Sequence, residues 1–96
     1  MNNIHFQWDK SKNLANIKKH KISFEEAKTV FFDENARLIS DPKHSVNEER
    51  FIILGISDKL KLLIVVRMYK ENDEVIRIIS ARKATKTESK YYNEVK

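Results

Sequence analysis

The sequence predicts an α+β domain in which an antiparallel sheet carries two N-terminal helices and one C-terminal helix. Apolar runs at 52–54, 62–66 and 75–79 are separated by short polar turns, which is typical of an antiparallel meander. Capping boxes that open at Ser23 and Thr85 mark helix starts before and after these runs. Because the helices are grouped and do not alternate with the strands, the pattern indicates α+β rather than α/β.

The chain is expected to open with a short strand and a solvated helix. Ile4 to Trp8 alternates apolar and polar residues, as a half-buried strand does. Asp9 is a suitable N-cap for a helix from Lys10 to about His20, and His20 suits the negative end of the helix dipole. The apolar stripe of this helix is thin, so most of its lysine-rich surface should face solvent.

The second helix is expected to pack more closely than the first. Ala27, Val30 and Phe31 follow its cap at helical spacing, and the helix should end near 32–33. A polar, turn-rich loop at 41–47 contains the only proline and separates the first strand after this helix from the next. The predicted strands after the second helix are 36–40, 49–57, 62–69 and 75–82, and a helix then begins after Thr85.

The last strand raises the question on which the functional interpretation depends. Strict alternation places Ile76, Ile78 and Ser80 on one face of this strand. Arg77, Ile79 and Ala81 are then expected on the other face. An arginine within an otherwise apolar strand requires either a partner or an open cleft.

The composition describes one small globular domain spanning residues 1–96. Hydrophobic residues make up 41% of the chain and charged residues 34%, and there is no cysteine for a disulfide or a thiolate zinc site. No apolar run is long enough for a membrane span, and no signal-peptide pattern opens the chain, so a cytoplasmic protein is expected. The net charge of +5 favours nucleic acid or an acidic protein as a partner.

A set of short motifs extends through nearly the whole chain. They are Phe6-Gln7-Trp8-Asp9, Lys12, Asn16, Lys19-His20, Ser23-Phe24-Glu25-Glu26-Ala27, Val30-Phe31, Asp41 to Ser45, Glu48-Glu49-Arg50, Gly55, Ile76-Arg77-Ile78-Ile79-Ser80-Ala81-Arg82, Glu88 and Tyr92. Together these residues resemble the BrnT toxin family. One departure is Lys21, where the family often has glycine, and it affects the turn between the two N-terminal helices.

This resemblance implies a small ribonuclease with a RelE-like fold that acts as the toxin of a type II toxin–antitoxin system. It implies growth arrest by RNA cleavage, and neutralisation by a BrnA-type antitoxin with a DNA-binding ribbon-helix-helix part. The complex would repress its own promoter, so the toxin would meet DNA only through the antitoxin. The sequence contains neither a zinc-binding histidine pattern nor a glycine-rich phosphate loop, so no metal or other cofactor is expected.

Metal-free RNA cleavage needs a base for the 2′-hydroxyl proton, cations for the phosphate, and an acid for the leaving oxygen. Arginine suits the cationic role, because its planar fork stays charged and binds phosphate oxygens in pairs. Arg67 and Arg77 would form a phosphate clamp if they share a sheet face, but the sequence does not fix the strand register. The candidate arginines are Arg50, Arg67, Arg77 and Arg82.

His44 and Glu49 are the candidates for proton transfer. His44 titrates near neutral pH and lies in a predicted loop, where catalytic groups are common. Each candidate also has a purely structural explanation, because a loop histidine can simply be solvated. Glu49 can form a salt bridge with Arg50 or Arg77, and Glu74 offers the strand arginines another carboxylate partner.

The first helix offers a further candidate surface. Lys12, Lys18 and Lys19 could contact an RNA backbone, or they could form an ordinary solvated helix face. The main alternative function is a non-catalytic basic module that binds an acidic protein or nucleic acid. A DNA-binding regulator acting alone is disfavoured, because the chain shows no helix-turn-helix signature.

Overall fold

The fold is a five-stranded sheet with α-helices packed on it. A computed structural model describes residues 4–40, 50–70 and 74–94. The sheet has the order β1-β5-β4-β3-β2, and only the β1–β5 pair is parallel. In chain order the elements are β1 (His5–Gln7), α1 (Lys10–His20), α2 (Phe24–Thr29), a 3-10 helix (Val30–Phe32), β2 (Arg37–Ser40), β3 (Arg50–Ile56), β4 (Leu62–Lys70), β5 (Val75–Lys83) and α3 (Lys86–Glu94).

The predicted α+β class, with two N-terminal helices and one C-terminal helix, is confirmed by this order. The first helix has the predicted bounds. The second helix ends near the predicted residue, but only its first part is α-helical. The α-helix ends at Thr29, and a 3-10 helix continues it to Phe32. The parallel pairing of β1 with β5 is the one departure from a purely antiparallel sheet.

The helix starts follow from their capping residues. The Asp9 side chain accepts a hydrogen bond from the Lys12 N–H, and the Ser23 hydroxyl accepts one from the Glu26 N–H. At α3 the Thr85 hydroxyl accepts from the Glu88 N–H at 3.2 Å. The Glu88 carboxylate accepts from the Thr85 N–H at 2.8 Å, so this capping box is complete.

The turn after α1 contains Lys21, which adopts a backbone conformation unusual for a residue other than glycine. Lys21 has a φ of 64° and ψ of 24°, which is the left-handed conformation that favours glycine at a helix C-cap. Its backbone N–H donates to the Ile17 carbonyl at 2.8 Å. The helix ending typical of glycine is therefore formed here by lysine, at some cost in backbone strain.

The main hydrophobic core lies between one face of the sheet, here called the core face, and α2 with its 3-10 extension. The helical side contributes fully buried Phe24, Ala27 and Val30. On the sheet side Ile53, Val65 and Ala81 lie opposite one another on three neighbouring strands. The buried cluster consists of Ile22, Phe24, Ala27, Val30, Ile53, Leu63, Val65, Ile78 and Ala81.

A β-bulge in the β4–β5 pair changes which side chains of β5 face the core. Val66 is paired with Ser80, whereas the next residue, Arg67, is paired with Ile78, so the register skips one residue of β5. The predicted strict alternation is therefore wrong beyond Ile78. Ala81 joins Ile78 in the core, and Ser80 turns to the other face.

Asn16 attaches α1 to β5. It bonds to the part of the β5 edge that lies beyond the three residues paired with β1. Its amide nitrogen donates to the carbonyls of Ile22 and Ala81, both at 2.8 Å. Its amide oxygen accepts from the Ala81 N–H at 3.2 Å. Asn16 is only 7% exposed, so one side chain satisfies three buried backbone groups and covers a strand edge.

The second face of the sheet, here called the outer face, is partly covered by α3. The register aligns Arg37, Leu54, Ile64 and Arg82 in one cross-strand row, which is the end of the face that α3 covers. The helix is held there by polar side chains, and none of its described residues is buried. The opposite end of the outer face has no described helix over it.

Candidate active site

The end of the outer face over which no described helix lies carries a row of polar and charged side chains. The register pairs Arg50 with Met68, Met68 with Arg77, and Arg77 with Gln7, so these four residues lie side by side on one face. Arg50 and Arg77 are two strands apart, which is roughly 10 Å between backbones. All four side chains are half-buried.

Arg77 is the cation of this row whose surroundings the structure describes most fully. Its Nη1 donates to the Gln7 Oε1 at 2.7 Å, and Gln7 lies beside it on β1. No described carboxylate forms an ion pair with Arg77, including Glu74 near the start of β5. A neutral amide therefore orients the guanidinium and leaves its positive charge uncompensated within the described part of the chain.

The predicted clamp of Arg67 and Arg77 is not formed. The register pairs Arg77 with Met68 and Arg67 with Ile78, so the two arginines point to opposite faces of the sheet. Arg67 lies on the core face and is only 3% exposed. The structure therefore groups Arg77 with Arg50 and separates Arg67 from them.

Arg67 is surrounded by aromatic rings. Its guanidinium carbon lies 4.6 Å from the ring centre of Tyr69, 5.3 Å from that of Phe51 and 5.5 Å from that of Phe31. Its Nε and Nη1 are buried and have no hydrogen-bond partner among the described residues. Unpaired buried donors on a charged group are costly, so this arginine requires an explanation other than stability.

Arg67 also lines a cleft of about 420 Å³, here called the Arg67 cleft. Most of its wall is apolar or aromatic, and its most exposed members are Phe32 at 72% and Ile4 at 44%. Phe6 lies between Phe31 and Phe32, with ring centres 5.1 and 6.3 Å away. The full lining is Ile4, Phe6, Phe31, Phe32, Arg67, Tyr69 and Ile76.

Arg82 is occupied by a carboxylate. Its two terminal nitrogens donate to the two oxygens of Glu88, each at 2.9 Å, which fixes the start of α3 to the end of β5. The hydrogen bonds from Arg82, helped by the Thr85 N–H, outweigh burial and lower the pKa of Glu88 to about 2. The geometry of Arg82 is therefore that of a structural ion pair.

This ion pair predicts a loss of stability in acid. Because the pKa of Glu88 is lower in the folded protein than the 4.5 of a solvent-exposed glutamate, the contribution of the ion pair to stability is complete above about pH 4.5. It is lost as the pH falls toward about 2. Glu88→Gln should cost about 1–2 kcal/mol at pH 7, allowing for partial solvent exposure. Urea unfolding at pH 7 and pH 2 should show a gap between wild type and variant that narrows in acid. An equal gap at both values would contradict this role.

Asp33 forms a second attachment for α3. Its Oδ2 accepts hydrogen bonds from the Tyr92 hydroxyl at 2.6 Å and from the Ile56 N–H at 2.8 Å. Burial opposes ionisation of Asp33, but the bonds from Tyr92, Ile56 and Asn35 together lower its pKa. Burial, together with the hydrogen bond to Asp33, raises the pKa of Tyr92 to about 12, so this hydroxyl is a hydrogen-bond donor and not an acid at neutral pH.

The other predicted site residues are not gathered with Arg77 in the described structure. His44 and Glu49 lie outside the described residues, in the segment that connects β2 to β3. Lys12, Lys18 and Lys19 are all exposed on α1. Within residues 4–40, 50–70 and 74–94, no group of three or more histidine or acidic side chains could hold a metal ion.

Gln7 and Met68 are the members of the Arg77 row that sequence reasoning did not select. Gln7 appeared only as one residue of an opening motif, and its role depends on the parallel pairing of β1 with β5. Met68 follows an arginine in an apolar strand and carries no chemical signal of its own. Neither could be assigned before the strand register was known.

The fold resembles that of a solved ribonuclease toxin. The 1.1 Å crystal structure of the Brucella abortus ribonuclease toxin BrnT matches with a TM-score of 0.67 and 21% sequence identity, covering 86% of this chain and 99% of that one. At this identity the match supports the fold alone. A comparison with curated proteins found no match. No helix among the described residues is long and apolar enough to cross a membrane.

The sequence also matches one protein family over most of its length. Residues 8–88 match the family described as ribonuclease toxin, BrnT, of type II toxin–antitoxin systems. The match begins at Trp8 and ends at Glu88, so it includes β3, β4 and β5, the three strands that carry the candidate arginines. The chain therefore belongs to the BrnT family of ribonuclease toxins of type II toxin–antitoxin systems.

Proposed function

We propose that this protein is a metal-independent endoribonuclease whose phosphate-binding surface is the row formed by Gln7, Arg77, Met68 and Arg50. The observation that carries the proposal is Arg77, a half-buried cation that a neutral amide orients at 2.7 Å. A carboxylate partner would cancel the charge that a phosphate needs, and no described carboxylate forms an ion pair with it. Membership of a ribonuclease family supports RNA as the substrate.

In the proposed reaction the 2′-hydroxyl attacks the adjacent phosphorus, and the 5′-oxygen of the next nucleotide leaves. Arg77 and Arg50 stabilise the negative charge that develops on the phosphate oxygens. His44 and Glu49 stay the candidates for removing the 2′-hydroxyl proton and protonating the leaving oxygen. Arg50 begins β3 and follows Glu49 directly in the chain, so the cation and one proton-transfer candidate are adjacent in sequence.

The remaining predicted residues receive different roles in this proposal. Arg82 positions α3 through Glu88 and is not assigned to the phosphate. Arg67 is not assigned to this phosphate, because it lies on the core face, opposite to the face that carries Arg77. Lys12, Lys18 and Lys19 are proposed to attract the phosphate backbone of flanking RNA.

We further propose that a BrnA-type antitoxin neutralises the protein in the cytoplasm, and that the toxin contacts promoter DNA only through this antitoxin. Membership of a type II toxin–antitoxin family supports the existence of a cognate antitoxin protein. A direct test is whether co-purified antitoxin abolishes RNA cleavage by the toxin.

Arg77→Met tests the phosphate role. It keeps most of the side-chain volume and removes the charge, and it should lower the rate of RNA cleavage by about 100-fold or more, as expected for loss of a transition-state cation. The measurement is single-turnover cleavage of a labelled RNA by purified protein in the presence of a chelator. Growth arrest on expression of the toxin alone should also be relieved.

The matched control is Lys59→Met, which removes one positive charge from the exposed turn between β3 and β4. It should cleave at close to the wild-type rate. If Arg77→Met cleaves RNA at the wild-type rate, Arg77 has no part in the mechanism. Intact RNA with saturable, salt-dependent binding by the wild-type protein would instead favour a non-catalytic binding module.

A further inference from the structure

The Arg67 cleft has no role in the phosphate site, although it contains the least exposed cation among the described residues. Arg67 is 3% exposed, and its Nε and Nη1 have no described hydrogen-bond partner. The cleft of about 420 Å³ is large enough for a single planar ring system with its attached sugar. A buried cation with unused donors beside such a space indicates a ligand that brings hydrogen-bond acceptors.

We propose that the Arg67 cleft binds one unpaired base of the RNA substrate and prefers guanine. This inference rests on the proposed ribonuclease function and adds the feature of the RNA that the protein recognises. Single-stranded RNA is recognised when an unstacked base lies against aromatic side chains and its polar edge meets side-chain donors. The cleft supplies both parts, with four aromatic residues in its lining and Arg67 as the donor.

The aromatic surroundings favour a base over a phosphate or a carboxylate. The faces of aromatic rings are electron-rich, and three rings lie within 5.5 Å of the Arg67 guanidinium carbon. An anion that approached Arg67 would lose its hydration among these rings and would meet only one cation. A neutral base loses less hydration and gains stacking contacts with the same rings.

The donors of Arg67 favour guanine among the bases. Guanine presents two acceptors, O6 and N7, along one edge, whereas adenine presents one acceptor and one donor there. The edge of cytosine likewise carries a donor amino group, which a guanidinium cannot accept. Uracil carries two carbonyl acceptors, but an N3–H donor lies between them, so guanine is the base whose polar edge best complements an arginine.

The position of the cleft suits an RNA strand that also reaches Arg77. Tyr69, Ile76 and Phe6 are paired in a row on the core face. The neighbouring row, which contains Met68 and Arg77, lies on the outer face at the same end of the sheet. An RNA strand passing this end can place a phosphate at Arg77 and turn a nearby base into the cleft.

Nucleoside binding tests the proposal without any need for cleavage. Guanosine, adenosine and cytidine are titrated into purified wild-type protein by calorimetry, and guanosine should bind about tenfold more tightly than cytidine. Phe32→Ala should weaken guanosine binding roughly five- to a hundredfold, because Phe32 is 72% exposed and offers a stacking surface. Arg67→Met should remove the preference for guanosine over cytidine.

Leu60→Ala is the control, because Leu60 is 85% exposed and does not line the cleft. It should bind all three nucleosides as the wild type does, and thermal melts should show that every variant is folded. Equal binding of guanosine and cytidine, or an intact preference in Arg67→Met, would overturn the proposal. The proposal would also be overturned if Phe32→Ala lost antitoxin binding but bound guanosine as the wild type does. That result would assign the cleft to a protein partner.

The two proposals can fail separately. A chain that binds guanosine with the expected preference but leaves RNA intact would refute the ribonuclease mechanism and keep the base site. A chain that cleaves RNA through Arg77 without base preference, and whose cleavage pattern is unchanged by Phe32→Ala, would refute the base site alone.

Discussion

Asn16→Leu is expected to lower the free energy of unfolding by about 3–6 kcal/mol, which is a large share of the stability of a small domain. The substitution keeps a side chain of similar size but removes every hydrogen bond that the amide makes. The carbonyls of Ile22 and Ala81 and the N–H of Ala81 would then be buried without partners. Each such group costs about 1–3 kcal/mol.

Urea denaturation followed by the fluorescence of Trp8, the only tryptophan, measures this loss. Leu14→Ala on the same helix is the control, because Leu14 is 61% exposed and should change stability by less than about 0.5 kcal/mol. A similar, small effect of both substitutions would mean that α1 does not depend on Asn16 for its attachment to β5.

Gly55→Ala should destabilise the protein by about 1–3 kcal/mol through steric crowding. A Cβ atom at this position would lie 2.8 Å from Val30 Cγ1, and 3.1 Å from both Ala36 Cβ and Asp33 Oδ2. Because the backbone of Gly55 does not have a positive φ, the glycine is required for close approach and not for its conformational freedom. Displacement of Asp33 would also disturb the hydrogen bond that holds Tyr92 of α3.

A double-mutant cycle with Val30→Ala separates crowding from other effects. Val30→Ala removes the nearest clashing atom, so Gly55→Ala should cost clearly less in that background than in the wild type. Thermal or urea unfolding of the four proteins gives the coupling energy. Additive effects would show that contact with Val30 is not the origin of the loss.

Much of the fold could be predicted from local signals in the sequence. Asp9, Ser23 and Thr85 mark helix starts because their side chains accept hydrogen bonds from backbone N–H groups only a few residues away. Short turns likewise limit how consecutive strands can pair. The parallel pairing of β1 with β5 could not be read in this way, because it joins residues about 70 positions apart and leaves no periodic pattern.

The candidate site was predictable in its chemistry but not in its geometry. Arginines in apolar strands are unusual enough to be noticed, and the sequence alone selected Arg67 and Arg77. Whether they cooperate depends on register, and a shift of one residue exchanges the two faces of a strand. The structure separates these two arginines and instead aligns Arg77 with Arg50 and Gln7.

The bulge opposite Val66 and Arg67 also bears on how sequences of this family can diverge. A substitution changes one side chain, whereas loss of the bulged residue Ile79 would remove the bulge and leave Ser80 paired with Val66 directly beside the pair of Ile78 with Arg67. Ala81 would still face the core and Arg82 would still face outward, because the residues on either side of the deletion would alternate regularly. We therefore expect alignments of this family to accommodate a one-residue gap at Ile79, whereas a gap elsewhere in this strand would exchange its two faces.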